Sequence, residues 1–494
     1  MCGALGSVYR FAGRLEGMTM EQSGLQRVAV LGGGVAGLSA AWKLAEAGVG
    51  VDLYEAAPVL GGMAGSMHRN GYIWDFGPHR FHSANPVIIN TVKELLGDDL
   101  RGRQRKTRVY FMNRFFDYPL NASNLLTNLP KSVAALSLAD FMLMKLRQKF
   151  KPAVDDSFES WVVNRFGRRL YDIYFGPYTA KVWGRDPKQL SASWAAQRVA
   201  VVDLWDLLLR VTKLRRGDNG FHHSEFKDDF WYPRYGIGQI ADGLAERATA
   251  HGATLHTSAR VTAVEHDGSA IRAVRYEMNG IEHIQECDAV VNTLPLPLLV
   301  KLLRPEPPAE VLAAANALDY RAMIFVFLEI DKPSVTQDHW VYFPDPQIVF
   351  NRISEMKNFS EDAVPSGKTS LTLEITCDVG DEIWNTPEDE LLRRSIDELV
   401  ACGLIERHQV LGHFFRRLRY AYPTYDIEFE SKIGHMAYQL ADYGNLVNAG
   451  RQALFRYVNT DHVMEMGFCA AEELLEGALG SRVERVGSEQ VWFG

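Results

Sequence analysis

The stretch Val28-Ala-Val-Leu-Gly32-Gly33-Gly34-Val35-Ala36-Gly37-Leu38, with Glu55 closing the next apolar run, decides the fold of this chain. The apolar residues ahead of the glycines predict a short buried strand over 28–31, and the pattern over 38–47 predicts a helix. The glycines then fall on the turn where a phosphate can meet helical N–H groups. Each has its own task. Gly32 permits the tight turn, Gly34 lets the backbone approach a pyrophosphate, and Gly37 lets the helix pack closely on the strand. The second strand, Val51-Asp-Leu-Tyr-Glu55, puts a carboxylate about 20 residues on, where it can take ribose hydroxyls. Strand, turn, helix, strand and acid in this order predict a bound dinucleotide.

Directly after the acid comes Pro58-Val-Leu-Gly61-Gly62-Met63-Ala-Gly65. A second glycine cluster lets another backbone loop close over a longer ligand, and this one resembles the flavoprotein pattern. FAD is the expected cofactor, with Gly62 and Met63 among its contacts.

Length and composition bound the rest. At 494 residues, the prior of roughly 150 residues per domain gives two to four domains. Hydrophobic content of 47% and charged content of 23% are ordinary for a globular protein. The net charge of −8 argues against nucleic acid or an anionic membrane as the main partner. The five cysteines are scattered, with no C-x-x-C and no metal-ligand spacing, so no metal is expected and the thiols fit a reducing compartment. No apolar run approaches the ~20 residues that span a bilayer, and residues 1–27 lack the apolar core of a secretory signal. The expected location is the cytoplasm, with a homo-oligomer left open. The run Arg101-Gly-Arg103-Gln-Arg105-Lys106-Thr-Arg108 is expected to be a solvated loop or strand edge.

The expected class is α/β: a Rossmann-type FAD-binding domain with an inserted α-helical domain and an antiparallel β-sheet domain. The FAD-binding parts are placed at 27–117, 231–310 and 446–494, a helical substrate domain at 118–230, and an antiparallel sheet domain at 311–445. Helices are predicted over 157–166, behind a Ser157 cap, over 191–209, over 239–251 after the turn at Tyr235-Gly236-Ile-Gly238, and over 461–479. Strands at 254–257, 260–264, 271–276 and 288–293 are read as a return to the nucleotide-binding sheet, with Val261 counted among the cofactor contacts.

Beyond the glycine motif, Trp74-Asp-Phe-Gly77-Pro78-His79-Arg-Phe-His82 resembles the flavin-facing segment of UDP-galactopyranose mutases. The likeness runs along nearly the whole chain. Tyr118-Pro-Leu-Asn121, Phe175-Gly-Pro-Tyr178-Thr-Ala-Lys-Val-Trp183 and Trp194-Ala-Ala-Gln-Arg198 are similar to that family's uridine- and sugar-binding helices. Trp340-Val-Tyr342 with Arg352, and Tyr422, match its substrate motifs. Gly450-Arg451 through Tyr457, Asn459 and Asp461 resembles its closing flavin and diphosphate motif.

The resemblance implies a pyranose-to-furanose interconversion of a nucleotide-diphosphate sugar through a reduced-flavin N5–sugar adduct, with NADPH or NADH as reductant. His79, Arg198 and Arg352 are the implied catalytic residues, His79 positioning the flavin. Arginine forks and tyrosine hydroxyls are the right types for a diphosphate leaving group. Two residues keep a second reading at this stage: Trp183 as a core anchor, and Asp461 as a helix cap rather than a flavin contact. The chain departs from the pattern after Tyr118-Pro119, where Leu120 and Asn121 stand in place of an aromatic and a longer amide. GDP- or dTDP-linked hexoses therefore stand beside UDP-galactose as expected substrates. An FAD oxidoreductase of the amine oxidase or protoporphyrinogen oxidase type is the alternative from another class, since it shares the glycine motif.

Overall fold

The computed structural model describes residues 24–118, 124, 128–150, 153–198, 229–479 and 482–487, with the side chains of 196–198 excepted. The cofactor sheet has five parallel strands in the order Leu446–Asn448, Ala289–Asn292, Arg27–Leu31, Gly50–Tyr54 and Thr254–His256. Val28 to Leu31 and Ala289 to Val291 are wholly buried, as a sheet covered on both faces requires. The helix Val35–Glu46 follows the central strand. Thr460–Glu476 crosses that helix so closely that a Cβ on Gly467 would lie 2.3 Å from the Ala36 carbonyl oxygen. From Arg27–Leu31 the chain proceeds to one side, through Gly50–Tyr54, and later returns on the other, through Ala289–Asn292. The carboxyl end of the central strand is thus the topological switch point, where open α/β sheets hold their ligands.

Only part of the 254–293 region joins that sheet. Ala259–His266, Ile271–Met278 and Ile281–Glu286 form a separate antiparallel meander, with Leu303–Arg304 at its edge. The expectation that all these strands extend the nucleotide sheet is corrected here. Asn279 and Gly280 both take positive φ (54° and 76°), the hairpin turn that folds a strand back antiparallel on its predecessor. A hairpin cannot extend a parallel sheet, which needs a crossover.

The second large sheet has seven strands: Val410–Pro423, Tyr320–Ile330, Thr369–Cys377, Arg352–Glu355, Trp340–Tyr342, Thr107–Phe111 and Arg114–Asp117. Its pairs are antiparallel except Trp340–Tyr342 with Thr107–Phe111, which is parallel. The two outer strands come from ahead of residue 118, within the stretch assigned on sequence to cofactor binding. Their short alternating pattern names no partner, and the partner lies more than two hundred residues away.

A small helical layer packs beside the seven-stranded sheet, Lys181 of one of its helices donating to the carbonyls of Phe343, Asp345 and Phe350. Phe158–Phe166 begins behind Ser157, whose side chain accepts the Ser160 N–H while Ser160 returns the bond, and it packs through Phe158, Trp161 and Val162. Gly176–Trp183 packs against it through the same cluster. The helix expected over 191–209 is present as Ala192–Arg198, and its remainder lies outside the described residues. Among the described residues no helix is long and apolar enough to cross a membrane.

Candidate active site

At the switch point the three fingerprint glycines meet their separate demands. Gly32 has φ +103°, and a Cβ on Gly37 would lie 2.0 Å from the Gly32 oxygen. At Gly34 a Cβ would touch nothing within 4 Å, so the backbone there borders open space. Gly34 also caps Val35–Glu46 without a side-chain bond, which leaves the first helical N–H groups for an anion. The second glycine loop docks on the first, the Gly61 N–H donating to the Gly33 oxygen at 2.8 Å. Glu55 already accepts the Gly33 and Ala57 N–H groups, each at 2.8 Å, one per oxygen. It fixes the turn as well as offering its remaining lone pairs to a ribose. Val261 lies in the meander strand Ala259–His266, which is tied to the Glu55 turn by the Ala259 N–H donating to the Glu55 carbonyl at 2.8 Å. These residues fit a dinucleotide such as FAD: a cradle with no Cβ in the way, unspent N–H groups and an acid.

Beyond the cradle the sheet register assembles a cationic, aromatic cleft. Tyr342 pairs with Arg352 across one strand boundary, and Arg352 with Glu374 across the next. Cross-strand neighbours share a face, so Arg352 reaches Glu374 with both arms: Nε to Oε1 at 2.6 Å and Nη2 to Oε2 at 2.5 Å. Nη2 also donates to the Tyr422 hydroxyl at 3.3 Å. Glu374 is 1% exposed, and its charge holds Arg352 well above the usual guanidinium range despite burial. Gly77, φ +88°, passes so near that a Cβ would sit 2.7 Å from Glu374 Oε1. This close approach carries the chain on to His79.

Arg451 supplies the other cation. Its guanidinium lies 3.8 Å over the Tyr457 ring and 5.1 Å from the Tyr422 ring, which stack on each other at 5.3 Å. Among the described residues its Nε and Nη2 are buried without a hydrogen-bond partner, and so is Nε2 of His79. Buried donors in this state call for an anionic or polar ligand. Burial, reinforced by Arg352 and Arg451, pushes His79 down to about 4, so its imidazole is neutral at physiological pH. Gly450, φ +91°, seats this turn against Ala36 of the first helix.

The aromatic wall joins the helical layer, through Tyr174 and Tyr178, to the seven-stranded sheet, through Tyr118 and Tyr342. Tyr178 meets Tyr342 at 6.3 Å and Tyr174 at 6.2 Å, and Tyr118 meets Tyr342 at 5.5 Å. Burial pushes Tyr118 up to about 12 and Tyr178 well above the usual phenol range. Both stay protonated donors. Lys181 anchors this helix by donating to the carbonyls of Phe343, Asp345 and Phe350 at 2.6, 2.8 and 2.8 Å. Its burial lowers it to about 7. Trp183 is 8% exposed and packs on Trp194 at 4.7 Å and Tyr422 at 6.0 Å, so it is a core anchor behind the cleft.

The structure therefore brings together His79, Tyr118, Tyr178, Tyr342, Arg352, Tyr422, Arg451 and Tyr457. Asn459 stands at the N-cap of Thr460–Glu476, its side chain making no cap bond. Asp461 is not the cap: it lies inside the first turn, 4% exposed, its Oδ1 2.8 Å from His462 Nδ1. Met63 packs at the second glycine loop, with Gln452 Nε2 3.7 Å from its sulfur. Asn121 and the Arg198 side chain lie outside the described residues.

Sequence reasoning missed Glu374, Arg80 and Arg105. An acid in the middle of the apolar strand Thr369–Cys377 was the available signal, since a carboxylate buried there needs a cation. Arg105 is 7% exposed and not part of a solvated run. It lies near Arg80, which in turn neighbours Tyr342, Tyr118 and Tyr457.

Residues 35–455 match the family described as flavin containing amine oxidoreductase. The chain belongs to that family. Over 192 residues, 37% of this chain and 36% of the relative, it is 30% identical to protoporphyrinogen oxidase 2 of Arabidopsis thaliana. Over 227 residues, 45% of this chain and 53% of the relative, it is 24% identical to a probable UDP-galactopyranose mutase of Klebsiella pneumoniae. The matched stretches thus span between about a third and a half of these relatives' lengths. A crystal structure of reduced UDP-galactopyranose mutase superposes with a TM-score of 0.81 at 23% identity, covering 96% of this chain and 98% of the other. The chain shares that protein's fold throughout.

Proposed function

We propose that this flavin enzyme is a mutase that interconverts pyranose and furanose forms of a nucleotide-diphosphate sugar. The observation that carries this reading is Arg451, a buried guanidinium with two unpartnered nitrogens, stacked on Tyr457 beside the Arg352–Tyr422 pair. Two arginine forks and a ring of protonated phenols suit a diphosphate, whose oxygens accept several hydrogen bonds at once. Arg352 is largely neutralised by Glu374, so Arg451 supplies more of the unbalanced charge.

When bound and reduced, FAD supplies the nucleophile for the anomeric carbon, with NADPH or NADH as reductant. The chain's own residues handle the leaving group. Arg451, Arg352, Tyr422 and Tyr457 hold the released diphosphate in place, so that it can return to the same sugar and the reaction remains an isomerisation. Tyr118, Tyr178 and Tyr342 orient the substrate and keep water from the reacting carbon. His79, neutral, offers a hydrogen bond without adding a competing charge. Arg198 is assigned to the same diphosphate, Asn121 to the base, and Asn459 to the polar end of the nucleotide sugar.

The test is incubation of reduced holoenzyme with UDP-, GDP- and dTDP-hexoses, with oxidised enzyme as control. Interconversion of one of them only after reduction is expected, and none with any of them defeats the reading. The protoporphyrinogen oxidase likeness favours a second reading, an FAD oxidase. Turnover-dependent peroxide with a porphyrinogen or amine would establish that one instead.

A further inference from the structure

Away from the cleft, a cavity of about 410 Å³ opens beside the edge of the seven-stranded sheet, walled by Arg103, Lys106, Lys357, His339, Asn358 and Ser334. It lies at the end of Trp340–Tyr342 remote from Tyr342, where Lys106 and His339 face each other: the Lys106 N–H donates to His339 Nδ1 at 3.1 Å. Among the described residues no carboxylate lines its surface, and Glu355, buried behind the wall, spends its oxygens on the Val335 and Thr336 N–H groups and the Thr369 hydroxyl. Two acids of the neighbouring segments are spent elsewhere, Asp338 on Arg108 at 2.7 and 2.9 Å, and Asp362 on Arg101 and Arg234. Arg103 gives its Nε to the Phe359 carbonyl at 2.7 Å and Lys357 its Nζ to the Pro333 carbonyl. Among the described residues neither these two nor Lys106 has an ion-pair partner. Three cations converge on one concave wall in a chain whose net charge is −8.

The wall is built in advance. Glu355 accepts the Val335 and Thr336 N–H groups at 2.9 and 2.6 Å, and Asn358 Nδ2 donates to the Asp338 carbonyl at 2.6 Å. With Nδ1 accepting, the imidazole proton of His339 resides on Nε2, which is buried. Burial, with Arg103 and Lys106 adding to it, pushes His339 down to about 4, so its ring is neutral at physiological pH. The ring packs on Phe230 and Phe359 at 5.1 and 4.8 Å and so backs the wall as a neutral group, leaving the anion to the three cations.

We propose that this cavity is a second ligand site, for a phosphorylated small molecule of about mononucleotide size. Its volume is at the lower end of small-molecule pockets, about 300–1,000 Å³. A concave site this small does not take a nucleic acid or a protein. Lysine point charges beside an arginine favour phosphate over a single carboxylate. The site is independent of the diphosphate reading of the cleft, since it shares no residue with those assigned to that ligand.

Titration calorimetry of the holoenzyme with AMP and with inorganic phosphate tests it. AMP is expected to bind, unaffected by Arg451→Ala, and to weaken about tenfold for each of Lys106→Ala and Lys357→Ala. Because these lysines lie at the surface or half-buried, both variants should melt as the parent does. Lys106 and Lys357 should also be shielded from acetylation by AMP. AMP binding that survives the two lysine changes but is lost in Arg451→Ala belongs to the cleft and overturns the proposal, leaving the mutase reading intact. Phosphate binding as tightly as AMP overturns the assigned size. No binding of either at low salt overturns the site.

Discussion

Replacing Arg352 by alanine separates what this residue does for the fold from what it does for a ligand. Its fork holds Glu374 through bonds of 2.5 and 2.6 Å, with Glu374 1% exposed and the Arg352 side chain 17% exposed. Removing one partner of a buried pair strands the other charge, which costs about 3–5 kcal/mol. Arg352→Ala alone should lower unfolding stability by that amount in urea titrations of the holoenzyme. Adding Glu374→Gln removes the stranded charge and should recover all but about 1–2 kcal/mol. Ligand binding should not follow. A lost charge-assisted contact to a desolvated diphosphate is worth roughly 2–5 kcal/mol, so UDP affinity should fall about 30-fold or more in both variants. Calorimetry with UDP beside the urea midpoints reads the two effects separately. A stability loss below about 1 kcal/mol would refute the buried-pair account. Parental UDP affinity in the double variant would remove Arg352 from the ligand site.

Gly34→Val should give a folded protein with parental circular dichroism and little bound flavin, because its side chain enters space the protein itself leaves open. Gly37→Ala should instead lower the melting temperature, its Cβ colliding with the Gly32 oxygen, and absorbance at the flavin band separates the two. Lys181→Met should remain folded yet raise KM more than it lowers kcat, since the three carbonyl bonds that hold Gly176–Trp183 against the 343–350 loop are gone. Urea midpoints should fall as pH drops from about 6.5 toward 4. His79 and His339 sit near 4 in the folded state, so in that window the unfolded chain binds protons that the folded chain does not. Asp75, raised to about 6 by burial, acts in the opposite sense by taking up a proton when folded. His339→Asn should flatten the fall, and an unchanged slope would show that His339 is not buried neutral.

The sequence by itself determined the cofactor half of this protein. The 28–38 stretch and Glu55 specify strand, turn and helix through interactions a few residues long, and the structure places Gly32, Gly34 and Gly37 in those distinct roles. The Ser157 cap and the helices near 239 and 461 were legible for the same reason, since capping and periodicity are local. The cleft was only half legible. Arg352, Tyr342 and Tyr422 could be named as the right residue types, but the acid that clamps Arg352 comes from a strand whose register is fixed by long-range pairing. Arg105 looked solvated because burial depends on what covers it, and its cover is brought from elsewhere in the chain. Tertiary structure alone decided that the 259–286 strands leave the nucleotide sheet, that 107–117 joins the other sheet, and that Arg451 keeps unpartnered nitrogens beside two tyrosines. Local spacing fixes backbone conformation, whereas partner choice and desolvation are set by segments hundreds of residues apart.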